Sequence, residues 1–526
     1  MACGTFSMGA VVSESSVVGD GVSVPAPVQA ASKINAIRIL EKRELENFMR
    51  PLYQGGEGTI GGMSRRDWQI AAVLFAIISS VYFATVAGIT SSNDGSHYAL
   101  VRALADKRSF EISDYLEFTE NQDYALRGDL RFSDRPPGTA LLSAPLYAVS
   151  TFLPPPLSPI RSKHDSGNPR MIYALMIPVA AASATAIILF WTLRVHFGLA
   201  EWTSVLTTLA FAFGTMTWKY GSLLYSHATS GLIVMGAVAI MLNYFQKPVF
   251  SEKTGFWLGV LLGASALMEY TNIVFIAFAG AWCVGQIANL PYKWRQLLLF
   301  GLGGLLPGLI LMGYNATNFG SPFSLSTFNA DTSRWPQNAS LFTDFATPIW
   351  VGLPAMLFYG YDNQGLFWLA PISLLGLWGL KPLWEKSRRE FLLIVGAFVA
   401  MLLLFSTSTT FNPYTNDGRY LTPFLGLWFV VVGFGISRMQ SAPTLLMVYG
   451  LLFLSIRNQI MHIAFAWGHD LNLAVLRPWA AAPENIVALW HTVLPNVVNV
   501  PLWWGMLAAG WVVWRVREQR IKRERI

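Results

Sequence analysis

The chain has 526 residues, of which 53% are hydrophobic and only 13% charged, with a formal net charge of +7 and a mean hydropathy of +0.43. A water-soluble chain of this length would divide into domains with charged surfaces, so a soluble fold is excluded. Apolar runs recur near the ~20 residues that cross a hydrocarbon core of about 30 Å, which defines an all-α polytopic membrane protein.

Residues 1–66 read as a cytoplasmic, largely disordered segment. Residues 1–32 are rich in Ser, Val, Gly and Ala without periodicity, and 1–30 lack the basic start and apolar core of a cleavable signal peptide. Over 34–52, Ile34, Ile37, Leu40, Leu45 and Phe48 stand among Arg and Lys. That pattern fits a helix on the membrane surface and a solvated helix equally. Arg65 and Arg66 precede the first span, 68–90, so its N-terminus is expected in the cytoplasm and the next loop outside.

This first extracytoplasmic loop is long, 91–170. It opens with Ser92-Asn93-Asp94-Gly95-Ser96-His97-Tyr98. Tyr98, Leu100, Val101 and Leu104 then follow at helical spacing with Arg102, Asp106 and Lys107 between them, as in an amphipathic surface helix. Ser133-Asp134-Arg135-Pro136-Pro137-Gly138 comes next, and its two prolines are expected to hold the backbone extended. The apolar run 139–153 is short for a crossing and ends in Pro154-Pro155-Pro156, so it reads as an interfacial or re-entrant helix.

Further spans are expected near 171–193, 202–217, 228–245, 255–269, 272–290, 296–316, 366–380, 390–410, 420–437, 443–463 and 501–514, about twelve in all. An even count puts both termini in the cytoplasm. Arg194, Lys247, Lys293, the basic stretch from Lys381 to Arg389, and Arg438 then share that side. Residues 67–514 form the membrane domain, with a second outward loop at 317–365. Residues 515–526 form a basic cytoplasmic tail suited to anionic lipid, so the positive balance implies no nucleic-acid partner. The expected location is the plasma (inner) membrane. Trp68, Trp202, Trp218, Trp294 and Trp503 stand near span ends, where interfacial rings are favoured. Cys3 and Cys283 are the only cysteines, one polar in setting and one within a span, so neither a disulfide nor a thiolate metal site is expected.

Charge at the membrane surface is costly and marks function by default. Taken alone, Asp94 reads first as a cap for the helix that follows it and second as a candidate catalytic carboxylate. Arg135 suits a phosphate through its planar fork, or a salt bridge with Asp134 or elsewhere in the loop. His97, Tyr98, Asp134, His227 and Glu269 are candidate cavity residues, with Lys219 beside His227 in the outward turn 218–227. Interfacial anchoring and helix–helix hydrogen bonds are the structural alternatives. Arg457 lies inside a late span and reads as structural. Arg419, in Asn416-Asp417-Gly418-Arg419-Tyr420, is a second candidate phosphate contact. Tyr361-Asp362-Asn363-Gln364-Gly365 faces an acceptor or is a turn. Asn315 and Asn338 head glycosylation sequons that matter only in a eukaryotic secretory pathway. Walker, Rossmann and His-Glu-x-x-His patterns are missing, which argues against a soluble nucleotide-sugar domain.

Together the two loop motifs resemble a known family. The Asp94–Tyr98 stretch is similar to the Asp-Glu-x-x-Tyr segment after the first span of GT-C glycosyltransferases that use polyprenyl-phosphate sugars. Asp134-Arg135-Pro136-Pro137 is similar to their Asp-Lys-Pro-Pro motif. This includes the protein O-mannosyltransferase-like and aminoarabinose-transferase-like branches. The resemblance implies that Asp94 is the general base for an acceptor hydroxyl. It implies that Arg135, where the family usually has lysine, holds the lipid-linked phosphate, with Arg419 and Lys219 as further phosphate contacts. Its implied partners are a polyprenyl-phosphate sugar, membrane lipid, and a lipid, glycan or protein acceptor. Gly95 departs from the family's second acid. A divalent metal ion is the one cofactor left open, and no metal ligand is assigned. The rival readings are a transporter or flippase of lipid-linked sugars and a non-catalytic member of a cell-envelope assembly complex.

Overall fold

The computed structural model describes residues 62–158, 160, 168–245, 252–290, 292–331, 344–359, 365–409, 418–464 and 493–523. Cys3, the 34–52 segment, Asn338, Tyr361–Gln364 and Asn416-Asp417 lie outside them. The chain divides into Met1–Arg66, of which only 62–66 are described, and Asp67–Ile526, which holds the membrane domain.

In chain order the helices are α1 (Arg65–Ala84), α2 (Ser92–Arg102), α3 (Gly138–Val149), α4 (Met171–Trp191), α5 (Glu201–Gly214), α6 (Thr217–Gly221), α7 (Ser226–Tyr244), α8 (Glu252–Met268) and α9 (Ile273–Ile287). They continue as α10 (Lys293–Phe319), α11 (Ile349–Pro354), α12 (Leu366–Leu369), α13 (Gly376–Lys386), α14 (Arg388–Ser406), α15 (Leu425–Ser437), α16 (Ala442–Ala464) and α17 (Val500–Arg523).

The protein is a helical, multi-pass membrane protein. Among the described residues, nine helices are long and apolar enough to cross a bilayer. Nine of the twelve expected spans correspond to them. The expected 202–217 and 255–269 spans are the shorter α5, 14 residues, and α8, 17 residues. The expected 366–380 span is broken. Pro371 opens a 3-10 turn, Pro371–Leu375, between α12 and α13, because it has no N–H to continue a helix. The run at 139–153 forms α3, only 12 residues long. The last helix continues beyond the expected 514 to Arg523, so Arg515 and Arg517 of the basic tail are helical.

The segment Arg419–Ser437, which contains α15, is the centre of the bundle, with 89% of its apolar window buried, whereas α10, α16 and α17 bury only 11–22% and lie at its periphery. Trp68, Trp202 and Trp294 are exposed, as interfacial rings should be, but Trp218 and Trp503 are buried. Their indole N–H groups donate to Thr85 and Ser79 at 3.0 Å, so these two rings serve packing instead.

A short antiparallel hairpin, unexpected from the sequence, lies in the first loop. It pairs β1 (Tyr124–Arg127) with β2 (Leu130–Ser133) through Gly128-Asp129. Ala125 and Phe132 pack with Tyr314 and Phe319 of α10, and Ala125 bridges to Ala330. The hairpin thus fixes the first loop to the end of α10. Helix polarity places the ends of α1 and α8, the starts of α7 and α15, and α2 at one end of the bundle. The Arg194–Asp67 ion pair and the His196–Glu390 hydrogen bond, both 3.0 Å, lie at the other.

Candidate active site

The site is built first from α2. Ser91 is its N-cap residue, and Asp94 occupies the third position. Asp94 Oδ1 accepts from the Ser91 amide and hydroxyl, each at 2.8 Å. Oδ2 accepts from the Thr90 amide at 2.8 Å and its hydroxyl at 3.1 Å. The capping role is therefore real. The carboxylate is wholly buried, and burial raises its pKa despite these four hydrogen bonds. A carboxyl so raised is better matched to taking a proton near neutral pH.

Residues 94–101 of α2 are buried on every side, so surface character begins only at Arg102. Gly95 explains this depth. A Cβ there would meet the Phe118 carbonyl oxygen at 1.7 Å, and the family's second acid has no room. Gly95→Ala should cost about 3 kcal/mol by forcing backbone apart, read as a lowered thermal unfolding midpoint of the membrane-reconstituted protein.

The second motif follows β2. Ser133 Oγ pairs with Ser96 Oγ at 2.9 Å, and Ser96 Oγ donates to Asp134 at 3.1 Å. Arg135 pairs with Asp123 at 3.2 Å and Asp134 at 3.3 Å, while Ser92 Oγ donates to Asp123 at 2.6 Å. Both motifs are thereby bound into one frame. The second proline does not hold an extended chain as expected. Pro137 is helical, at φ −77°, ψ −10°, and caps α3, because a proline ring suits a helix start. Gly138 lets this start approach α8, since a Cβ would lie 2.4 Å from the Leu267 carbonyl oxygen.

The remaining groups come from the bundle. Tyr225, just before α7, pairs its hydroxyl with Ser91 Oγ at 2.7 Å. Its ring stacks on His227 at 5.5 Å, and the Arg419 guanidinium lies over it at 5.8 Å. Arg419, beyond the left-handed Gly418, is buried and donates to the Tyr420 hydroxyl at 3.3 Å. His227 Nδ1 lies 2.8 Å from Glu269 Oε1. The Glu269 pKa is lowered: burial opposes its charge, but His227 and the Ser226 and His227 hydrogen bonds outweigh burial. Lys219 is buried in α6 with its amine over Tyr220 at 5.6 Å.

His97 is buried with neither ring nitrogen hydrogen-bonded. Burial, then Arg135, lowers its pKa from 6.5 to about 3. The unfolded chain thus binds a proton that the native state refuses, and His97 destabilises the fold as pH falls from 6.5 towards 3. Thermal unfolding across that range should show less acid sensitivity in His97→Gln than in the parent.

The structure therefore gathers Asp94, His97, Asp134, Arg135, His227, Glu269 and Arg419 at one end, with Lys219 behind Tyr220. No ion pair joins Asp94 to Arg135. Tyr98 is elsewhere, packed edge-on against Phe118 and Tyr147. Arg457 donates to Asn458 at 2.9 Å, and Asn315 is buried and bonded to the Pro322 carbonyl at 3.1 Å. Sequence reading missed Asp123, which sits in a polar turn without periodicity, and Tyr225, one more aromatic near a span end. A cavity of about 420 Å³ at the other end, by His196, Trp282 and Glu390, contains none of these candidates. Among the described residues no three His, Cys, Asp or Glu side chains are grouped to hold a metal ion.

No protein-family model matches the chain, and no curated protein matches it. Solved structures do. The chain has the GT-C fold. ArnT from Cupriavidus metallidurans, bound to undecaprenyl phosphate, is similar with a TM-score of 0.50 and 14% identity, over 84% of this chain and 75% of that one. The archaeal oligosaccharyltransferase AglB from Archaeoglobus fulgidus, in complex with an inhibitory peptide and a dolichol-phosphate, gives 0.42 and 10%, over 83% and 55%. The S. cerevisiae protein O-mannosyltransferase Pmt1-Pmt2 complex, bound to the sugar donor, gives 0.33 and 15%, over 51% and 33%.

Proposed function

We propose that this protein is a membrane glycosyltransferase that moves a sugar from a polyprenyl-phosphate carrier to a lipid, glycan or protein hydroxyl on the extracytoplasmic face of the plasma (inner) membrane. One observation carries the reading. A buried carboxylate, Asp94, and two guanidiniums, Arg135 and Arg419, share one end of the bundle. They are linked through Ser91–Tyr225 and Ser92–Asp123. The likeness to ArnT bound to undecaprenyl phosphate supports it. The basic residues Arg194, Lys293, Arg388 and Arg438 at the other end favour a cytoplasmic placement there.

The chemistry needs little more. Asp94 takes the proton of the acceptor hydroxyl as its oxygen bonds to the anomeric carbon. The bond from that carbon to the phosphate oxygen breaks, and its electron pair leaves with the phosphate. Arg135 and Arg419 stabilise the charge that develops, with Lys219 adding positive potential behind them.

Protein in nanodiscs, supplied with a polyprenyl-phosphate pentose or hexose and membrane lipid, should release polyprenyl phosphate together with a new glycoside. Movement of the carrier across sealed proteoliposomes with no glycoside formed would replace the transferase by a flippase.

A further inference from the structure

We infer that His227, held by Glu269, is a third and titratable cation for the carrier phosphate, beside Arg135 and Arg419, so that carrier binding strengthens as pH falls. The inference rests on the proposed reading of the site and adds pH control to it.

His227 stands in the first turn of α7. Its Nδ1 faces Glu269 Oε1 at 2.8 Å, and the same oxygen accepts from Ser226 Oγ at 2.5 Å. A carboxylate on one ring nitrogen fixes the tautomer, keeping hydrogen on Nδ1 and turning Nε2 to the site. Nε2 is buried without a hydrogen-bond partner. Leaving such a group unpaired costs about 1–3 kcal/mol, a cost that a ligand oxygen removes once Nε2 carries a proton.

Aromatic rings wall the imidazole and place it beside a guanidinium. Tyr225 stacks on it, while Tyr220 and Tyr420 meet it edge-on at 5.2 and 5.8 Å. The Arg419 guanidinium lies over two of those same rings, Tyr225 at 5.8 Å and Tyr420 at 5.1 Å. From α2, His97 brings two more buried ring nitrogens without partners, within electrostatic reach of Arg135, His227 and Glu269. A protonated His227 Nε2 and the single N–H that neutral His97 carries, set among two guanidiniums, suit an anion with several acceptor oxygens, and a phosphate is that anion.

The sign of the His227 contact depends on protonation. With both nitrogens protonated, Nδ1 donates to Glu269 and Nε2 donates to a phosphate oxygen. Neutral with hydrogen on Nδ1, Nε2 presents a lone pair and repels that oxygen. Of the groups facing it, Glu269 supports the protonated ring. His97 stays neutral, and Tyr220, Tyr225, Tyr420 and Arg419 complete the wall around the imidazole, with the Lys219 amine over Tyr220. Asp134 faces Arg135 instead, and any share it takes in a pH effect persists when His227 is replaced.

The probe is a methyl diester of undecaprenyl phosphate, which carries one negative charge throughout this range, so any pH step belongs to the protein. The full chain in nanodiscs should bind it about ten-fold tighter near pH 5.5 than near pH 8. His227→Gln should reduce that ratio to about two-fold or less, and Glu269→Gln should move the midpoint to lower pH by removing the carboxylate that favours the proton. Arg135→Gln should weaken binding at both pH values and keep the ratio. An unchanged ratio in His227→Gln, or an unmoved midpoint in Glu269→Gln, overturns the inference while leaving the carrier reading intact. Absence of diester binding at every pH overturns the carrier reading itself, as does displacement by an equal concentration of inorganic phosphate. Should His227→Gln fail to fold, the Glu269→Gln midpoint decides.

Discussion

An Asp94→Asn protein is expected to insert into the membrane and to transfer sugar about 10²- to 10⁴-fold more slowly than the parent, the usual worth of a positioned general base. The substitution keeps the side chain's shape and removes the oxygen pair proposed to accept the acceptor's proton. It also touches structure, because both carboxylate oxygens are occupied by Thr90 and Ser91. An amide turns an N–H group towards donors it cannot accept from, so about 1 kcal/mol of capping stability should go with the activity. Ser91→Ala separates the two effects. It takes one hydrogen bond from the same carboxylate and should lower the unfolding midpoint comparably, while initial rates stay within about ten-fold of the parent. Full transfer by Asp94→Asn, measured as polyprenyl phosphate released, would remove Asp94 from the chemistry and leave it only as a helix cap.

Much of this site was legible because charge is rare in so apolar a chain. Asp94, Arg135, Glu269 and Arg419 stand out beside spans of Leu, Val and Phe, and the structure brings all four to one end of the bundle. The spans were legible for the same reason. Length alone separates α4 or α14 from the short α3, and a proline marks the break between α12 and α13. What stayed hidden depends on contacts distant in sequence. Nothing local to Asp123 says that it will meet Arg135, and the hairpin that delivers it has only four residues per strand. Trp218 and Trp503 show the opposite failure. Position suggested interfacial anchors, but hydroxyl partners on α1 and just beyond it draw both rings into the core. Gly95 is the instructive case. Against the family pattern it reads as a lost acid, whereas in three dimensions it is the contact that lets α2 sink against the Phe118 backbone.

Arg135→Gln should raise the KM for the lipid-linked donor by about 10- to 100-fold, the worth of a hydrogen bond to a charged group. The guanidinium is the motif group with most access, its side chain 27% exposed, yet it is held by two carboxylates. That arrangement aims it and also neutralises it, so a phosphate must compete with Asp123 and Asp134 for the same fork. Asp123→Asn should therefore loosen the aim and free charge at once, giving a smaller change in KM than Arg135→Gln. Arg135→Lys is the sharper variant, because lysine is the residue the resembling family usually carries here. A single ammonium restores the charge but cannot span Asp123 and Asp134 as the planar fork does. It should recover only part of the donor KM. If glutamine and lysine variants both keep the parent's KM and lose only kcat, the carrier phosphate is held by other cations, and Arg135 acts on the loop that positions Asp94 instead.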